Sequence, residues 1–130
     1  MSHKRVLIID DENDIREIAS LALETGGDFD VTTADSGLAG LMLANTRRPD
    51  IILLDVMMPE LDGPSTFRRL QESEDTRSIP VIFLTAKVQP GDRRKLADLG
   101  ALGIIAKPFD PMQLAEEVAA IAGWSQRTSP

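Results

Sequence analysis

Carboxylates stand at the ends of two aliphatic runs in this 130-residue chain. Asp10 and Asp11 directly follow Val6–Ile9, and Asp55 directly follows Ile51–Leu54. A charge beside apolar residues is costly unless a cation or hydrogen bonds compensate it. Oxygen ligands without cysteine or histidine favour a hard divalent ion. If these carboxylates meet, the sequence predicts a site for Mg²⁺ or Mn²⁺, with Asp55 available as a nucleophile that accepts a phosphoryl group.

Two further polar residues follow aliphatic runs in the second half of the chain. Thr85 comes after Val81–Leu84, and Lys107 comes after Ile104–Ala106. A hydroxyl and an ammonium group can hold the oxygens of a phosphoryl group and neutralise its charge. Each residue alone has an ordinary explanation as a helix cap, a turn residue or a solvated charge. Their joint occurrence at successive strand ends favours a common site.

The elements that must bring these residues together follow from the apolar pattern. Continuous aliphatic runs of this length are typical of strands buried on both faces, whereas Phe29–Ala34 alternates like an edge strand. Helical patterns separate the strands, giving the order βαβαβαβαβα. This alternation predicts an α/β fold with right-handed crossovers around a parallel sheet. Ligands of such sheets bind beyond the carboxyl ends of the strands, where all the residues above are placed.

Capping residues and apolar spacing predict the helices between the strands. Asn13 or Asp14 is a plausible N-cap of the first helix, Ser36 caps the second, and Pro64 lies just inside the third. The fourth should start near Gly91 and stop at Gly100, and the fifth should follow Asp110 as its cap with Pro111 at its first position. The predicted apolar faces of the first two helices consist of Ile15, Ile18, Ala19, Ala22 and Leu23, and of Leu38, Leu41, Met42 and Ala44.

Composition excludes several classes of function. The formal net charge of −7 argues against nucleic-acid or anionic-membrane binding through bulk charge, and the absence of cysteine excludes disulfides and thiolate metal sites. No apolar run approaches the roughly 18 residues that span a bilayer. We expect a cytoplasmic protein with one domain over residues 4–123 and a C-terminal tail over residues 124–130.

Four motifs, in order, resemble the receiver domains of two-component response regulators over residues 4 to about 123. They are Val6-Leu7-Ile8-Ile9-Asp10-Asp11-Glu12, Asp55-Val56-Met57-Met58-Pro59 with Asp62-Gly63, Phe83-Leu84-Thr85-Ala86 and Ala106-Lys107-Pro108-Phe109. The resemblance implies a doubly wound (βα)5, flavodoxin-like fold with strand order 2-1-3-4-5. It also implies a cis peptide bond between Lys107 and Pro108.

The same resemblance implies roles for the site residues. Asp55 would accept a phosphoryl group from the phosphohistidine of a sensor histidine kinase or a histidine phosphotransfer protein. Asp11, Asp55 and the main-chain carbonyl of Met57 would bind Mg²⁺ or Mn²⁺ directly, and Asp10 would act through a metal-bound water. Thr85 and Lys107 would hold the phosphoryl oxygens. The domain would then switch an unknown downstream protein, catalysing only its own phosphorylation and dephosphorylation.

The chain departs from the family pattern at two places. Ile104 occupies the switch position where the family usually has Tyr or Phe, so we expect a smaller or different movement of the surface built by the fourth helix, fifth strand and fifth helix. Gly100-Ala101 is followed by Leu102-Gly103 rather than by acidic residues, so the dimer salt bridges of many DNA-binding regulators are not expected. Met57 and Lys87, two residues after Asp55 and Thr85, are expected to tune how long the phosphoryl group persists.

Three other functions are weighed against this interpretation. An aspartyl-phosphate hydrolase typically has a second Asp two residues after the nucleophile, where this chain has Met57. A nucleotide-binding α/β domain would have a glycine-rich turn after the first strand instead of Asp10-Asp11. A constitutive interaction module would not need the complete acceptor site. Whether the chain is a stand-alone regulator or a part of a longer regulator or hybrid kinase stays open at this point.

Overall fold

The computed structural model describes residues 3–86 and 89–124. Strands and helices alternate along it in the predicted order. The elements are β1 (Arg5–Ile9), α1 (Asn13–Gly26), β2 (Asp30–Ala34), α2 (Gly37–Arg47), β3 (Ile51–Asp55), α3 (Gly63–Glu72), β4 (Val81–Thr85), α4 (Pro90–Leu99), β5 (Gly103–Ala106) and α5 (Leu114–Ala122).

The strands form one parallel sheet in the order β2-β1-β3-β4-β5. This confirms the doubly wound, flavodoxin-like α/β fold with five parallel strands. All residues of β3 and β4 are buried, as their unbroken apolar runs predict. Edge strand β2 is partly exposed. Because the strand order reverses between β1 and β3, the carboxyl ends of these two neighbours open onto one crevice.

Alternate side chains of the sheet enter two separate cores. Ile8 and Leu53 pack with α1 and α5 on one face. Leu7 and Leu54 pack with α2, α3 and α4 on the other. Each strand is therefore held from both sides, and the residues at its carboxyl end are positioned by a rigid core.

The predicted apolar face of α2 is wrong at two positions. Leu38 and Met42 are 58% and 68% exposed, and the helix instead packs through Gly37, Gly40 and Ala44. The reason is the close approach of α2 to the sheet, since a Cβ at Gly40 would overlap the side chain of Ile9. Small residues face the core here, and larger apolar side chains on the neighbouring positions point outward.

Two of the predicted helix starts need correction, and one residue of the predicted apolar face of α1 is exposed. Glu12, not Asn13 or Asp14, is the N-cap residue of α1, and Ile18 of that helix is 44% exposed. Asp110 does accept a hydrogen bond from the backbone N–H of Met112, but it closes a turn, and the regular helix begins only at Leu114.

Other helix signals are confirmed. Ser36 caps α2 by accepting a hydrogen bond from the Ala39 N–H, and Gly100 ends α4 in a left-handed conformation. Among the described residues, no helix combines the length and apolar character needed to cross a membrane. Trp124, the first residue of the predicted tail, lies 5.9 Å from the Phe29 ring, with Lys4 Nζ 5.0 Å from its own ring. The boundary between residues 123 and 124 stays a prediction.

Candidate functional site

Two adjacent strands position the acidic residues. Ile9 of β1 pairs with Leu54 of β3. Asp10 and Asp55 follow these two residues and therefore lie side by side at the carboxyl ends of the strands. Oxygens of Asp10, Asp11 and Asp55 all lie within 4.8 Å of one another. Asp10 and Asp55 are buried, whereas Asp11 is exposed. The predicted meeting of the three carboxylates is therefore what the fold produces.

Lys107 reaches the same carboxylates from the far side of β4. Its backbone N–H donates a 2.8 Å hydrogen bond to the carbonyl of Thr85. Its Nζ lies 2.9 Å from Asp10 Oδ2 and donates a 3.0 Å hydrogen bond to Asp55 Oδ1. The Lys107-Pro108 peptide bond is cis, as the resemblance implies. The lysine side chain is 12% exposed, so the ion pairs are largely shielded from water.

Burial and the contact with Lys107 have opposite effects on the pKa of Asp55. The pKa of this carboxyl group is raised from 3.8 to about 6: burial is the largest cause, the hydrogen bond from Lys107 lowers the pKa in part, and the charge of Asp10 acts with burial to raise it. Burial also acts to lower the pKa of Lys107, but its contacts with the Asp10 and Asp55 carboxylates outweigh this effect and the pKa is raised. The ammonium group therefore stays charged while Asp55 is held as a poorly compensated carboxylate.

The donor set fits a divalent cation. Asp10, Asp11 and Asp55 carry three negative charges against one positive charge on Lys107, which leaves two uncompensated. Within residues 3–86 and 89–124, Asp10 Oδ2 is buried without a hydrogen bond, because Lys107 approaches it as an ion pair and not with hydrogen-bond geometry. An oxygen-only cluster with an unsatisfied buried oxygen is suited to Mg²⁺ or a similar hard ion.

The remaining predicted site residues surround this cluster. Thr85 is buried at the end of β4, opposite Ala106 of β5. The Met57 backbone N–H donates a hydrogen bond to Asp55, while the Met57 side chain is 63% exposed. Met57 and Thr85 line a cavity of about 410 Å³ between α3 and α4.

The last two predicted site residues are Ile104, at the atypical switch position, and Lys87. Ile104 pairs with Phe83 in the sheet and packs, partly buried, against the core on the α4 side. Lys87, predicted to tune the lifetime of the phosphoryl group, lies outside the described residues.

Two contacts at the site were not predicted from the sequence. Glu12 Oε1 accepts a 3.4 Å hydrogen bond from Lys107 Nζ. Arg16 Nη1 donates a 2.8 Å hydrogen bond to the carbonyl of Asp10 and so ties α1 to the end of β1. The position of Glu12 next to Asp11 was a usable signal, because the fold places it at the same rim. Arg16 gave no such signal, since an arginine in a first helical turn is usually solvated.

Comparison with known proteins agrees with this geometry. A family model described as the response regulator receiver domain matches residues 6–119. The chain is 41% identical over 117 residues to the DNA-binding dual master transcriptional regulator RpaA of Synechocystis, covering 90% of this chain and 48% of that protein. It is 37% identical over 128 residues to the alkaline phosphatase synthesis transcriptional regulatory protein PhoP of Bacillus subtilis, covering 98% and 52%. The chain thus spans about half the length of these relatives.

Solved structures show the same fold. Chemotaxis protein CheY4 of Vibrio cholerae aligns with a TM-score of 0.85 at 29% identity, covering 92% of this chain and 99% of that one. The receiver domain of Francisella response regulator 1452 aligns with a TM-score of 0.83 at 30% identity, covering 93% and 98%. With the acidic cluster, the lysine and the sheet order in place, the chain belongs to the response regulator receiver domains, the phosphorylation-switched signalling domains of two-component systems.

Proposed function

We propose that Asp55 is the phosphoacceptor of this receiver domain. A phosphohistidine of a sensor histidine kinase or a histidine phosphotransfer protein would be the donor. A bond forms between an Asp55 carboxylate oxygen and phosphorus, the phosphorus–nitrogen bond of the donor breaks, and the imidazole leaves with the electron pair. The single observation that carries the proposal is the contact of a buried carboxylate with Lys107 Nζ at 3.0 Å, beside two further carboxylates.

The surrounding residues support this transfer in distinct ways. β3 is buried along its whole length, so it holds Asp55 rigidly at the rim of the sheet. Lys107 supplies a fixed positive charge for the oxygens of the transferring group, which carry the charge in phosphoryl transfer. Thr85 is placed at the end of the next strand, where its hydroxyl would hold another of these oxygens. The Met57 backbone N–H, which hydrogen-bonds Asp55, keeps the carboxylate oriented.

The proposal includes a divalent cation, Mg²⁺ or Mn²⁺. Asp11, Asp55 and the Met57 carbonyl would bind it directly, and Asp10 would act through a bound water. When bound, the ion would compensate negative charge on the carboxylates and on the phosphoryl oxygens. The two uncompensated charges of the cluster and the unsatisfied Asp10 oxygen support this assignment.

The experiment is phosphorylation with radiolabelled acetyl phosphate, a small acyl phosphate, followed by phosphorylation with a purified histidine kinase domain. Label should appear in the wild type only with Mg²⁺ or Mn²⁺ and should be lost in Asp55→Asn. Asp50→Asn is a matched control, because Asp50 is an exposed carboxylate at the opposite end of the same strand, bonded to the Arg5 N–H. Label that survives in Asp55→Asn, or that is lost equally in the control, would refute the assignment.

The wider setting of the domain is a part of the same proposal. We expect residues 4–123 to act as the phosphorylated unit in the cytoplasm, where ATP-dependent kinases supply phosphoryl groups. The output would be a change of the surface that an unknown downstream protein contacts, without direct nucleic-acid or membrane binding by these residues. Pulldown by phosphorylated and unphosphorylated protein, compared with Asp55→Asn, tests this output.

A further inference from the structure

Glu12 makes a contact at the site that the proposed phosphorylation does not use. Its side chain does not cap α1, although Glu12 is the N-cap residue of that helix. Instead, its carboxylate accepts the 3.4 Å hydrogen bond from Lys107 Nζ, while its backbone N–H donates to Asp10 Oδ1 at 2.9 Å. The loop after β1 therefore directs a third carboxylate onto the lysine.

The three anionic partners of Lys107 differ in how firmly they are held. Asp10 and Asp55 are buried at strand ends, with distances of 2.9 Å and 3.0 Å to Nζ. The Glu12 side chain is 63% exposed and its distance is the longest, at 3.4 Å. Two of the three N–H donors of the ammonium group are directed at Asp55 and Glu12, and Asp10 is in ion-pair contact with it. A phosphoryl oxygen that approaches Lys107 must compete with these carboxylates, and Glu12 is the partner that is least constrained.

We propose that Glu12 is a positioning residue that occupies Lys107 in the unphosphorylated state and is displaced by the phosphoryl group. This inference rests on the proposed phosphorylation of Asp55. Glu12 would keep the ammonium group aimed at the site before the donor arrives. It would also add a negative charge that an anionic phosphodonor must overcome. Glu12 therefore slows phosphorylation by small anionic donors and weakens the binding of phosphoryl analogues.

The test compares Glu12→Gln with the wild type under acetyl phosphate. Asp14→Asn is the matched control, because Asp14 is also exposed and lies in the first turn of α1, but is not among the partners that the described residues offer Lys107. Removing one unscreened charge near the phosphoryl group should speed phosphorylation about 4- to 10-fold at low ionic strength. The control should change the rate less than about twofold, as expected for a more distant, screened charge.

Two further readouts separate this role from a structural one. The acceleration by Glu12→Gln should fall below about twofold at 1 M salt, where the Debye length is about 3 Å. Beryllofluoride, a phosphoryl analogue, should bind the variant about 4- to 10-fold more tightly in an NMR titration, because the same charge is removed. Each protein is assayed at a Mg²⁺ concentration that saturates it, measured separately, and its melting temperature verifies that it is folded.

Each outcome decides the inference. A Glu12→Gln variant that reacts no faster than the wild type, or an acceleration that is independent of salt, would overturn it. Equal acceleration in Asp14→Asn would replace the contact with a general charge effect and would also overturn it. If the wild type itself takes no label at Asp55, the proposed function fails first. If the wild type is labelled and the variants do not differ, only the role of Glu12 fails.

Discussion

Replacing Asp55 with asparagine should stabilise the metal-free protein at neutral pH. Asp55 is 3% exposed, and its burial raises the pKa of its carboxyl group to about 6, with Lys107 offsetting this effect only in part. Asparagine has almost the same shape but carries no charge to desolvate. The residue proposed to be indispensable for phosphorylation is thus one that the fold holds at a cost in stability.

The size of the effect follows from the change in pKa. A rise from 3.8 to about 6 is about two units, and each unit corresponds to 1.36 kcal/mol, so the carboxylate costs about 3 kcal/mol of folding free energy at pH 7 and above. Between pH 4 and 6 the native state binds more protons at Asp55 than the unfolded state. The stability of the wild type relative to the variant must therefore fall as the pH rises through this window.

Urea unfolding in the presence of EDTA, from pH 4 to pH 8, measures this difference. The free energies of unfolding of wild type and Asp55→Asn should nearly coincide at pH 4. The variant should be about 3 kcal/mol more stable at pH 7.5, which corresponds to roughly 10 °C in melting temperature for a chain of this length. Lys107 adds no pH dependence in this window, because its pKa is raised from an already high value of 10.5.

The control is Asp14→Asn, which removes an exposed carboxylate and so accounts for the change in net charge. The explanation would be refuted if the difference between Asp55→Asn and wild type did not change with pH, or if the wild type gained on the variant from pH 4 to pH 7.5. Saturating Mg²⁺ should shrink the difference, because the ion would compensate the Asp55 carboxylate in the wild type.

Further predictions concern the metal, the backbone around the site and the switch. Millimolar Mg²⁺ should raise the melting temperature of the wild type, since a ligand at 100 times its dissociation constant adds about 2.7 kcal/mol to the free energy of unfolding. Asp11→Asn should lose most of this increase in melting temperature. An unchanged increase in the variant would show that Asp11 does not bind the metal. Gly63→Ala should lower the unfolding free energy by about 1–3 kcal/mol in the same urea titration, because the new Cβ would overlap the Asp55 carbonyl oxygen. Gly91→Ala in α4 is the control and should be neutral or stabilising, because its new Cβ would meet no described atom within 4 Å beyond its chain neighbours and its own helix backbone. Met57→Asn should change the lifetime of the phosphorylated form severalfold, measured by loss of label, and an unchanged rate would exclude a shielding role for this exposed side chain. Structures with and without beryllofluoride should show only a small movement of Ile104, and a large rotamer change there would contradict the expectation.

The sequence predicted the architecture and which carboxylates meet at the carboxyl-end rim of the sheet. Ile51–Leu54 and Val81–Leu84 are unbroken apolar runs, which are typical of strands covered on both faces, and they predicted the parallel sheet and a site at its carboxyl ends. Because strand ends in such a sheet face one rim, Asp10 approaches Asp55 once β1 and β3 are neighbours, and the resemblance to receiver domains implied that strand order. Ser36 and Gly100 marked helix ends through purely local chemistry, so they were also predictable.

Only the tertiary structure decided features that depend on the distance between elements. The exposure of Leu38 and Met42 follows from how closely α2 approaches Ile9, a distance that helical periodicity does not contain. The contact of Glu12 with Lys107 joins residues 95 positions apart, and it depends on the path of the loop after β1. The pKa of Asp55 likewise combines burial with two charges that meet only when the sheet is complete. Sequence patterns identify which residues arrive at the rim, but the packing of the helices and loops sets how strongly each one interacts there.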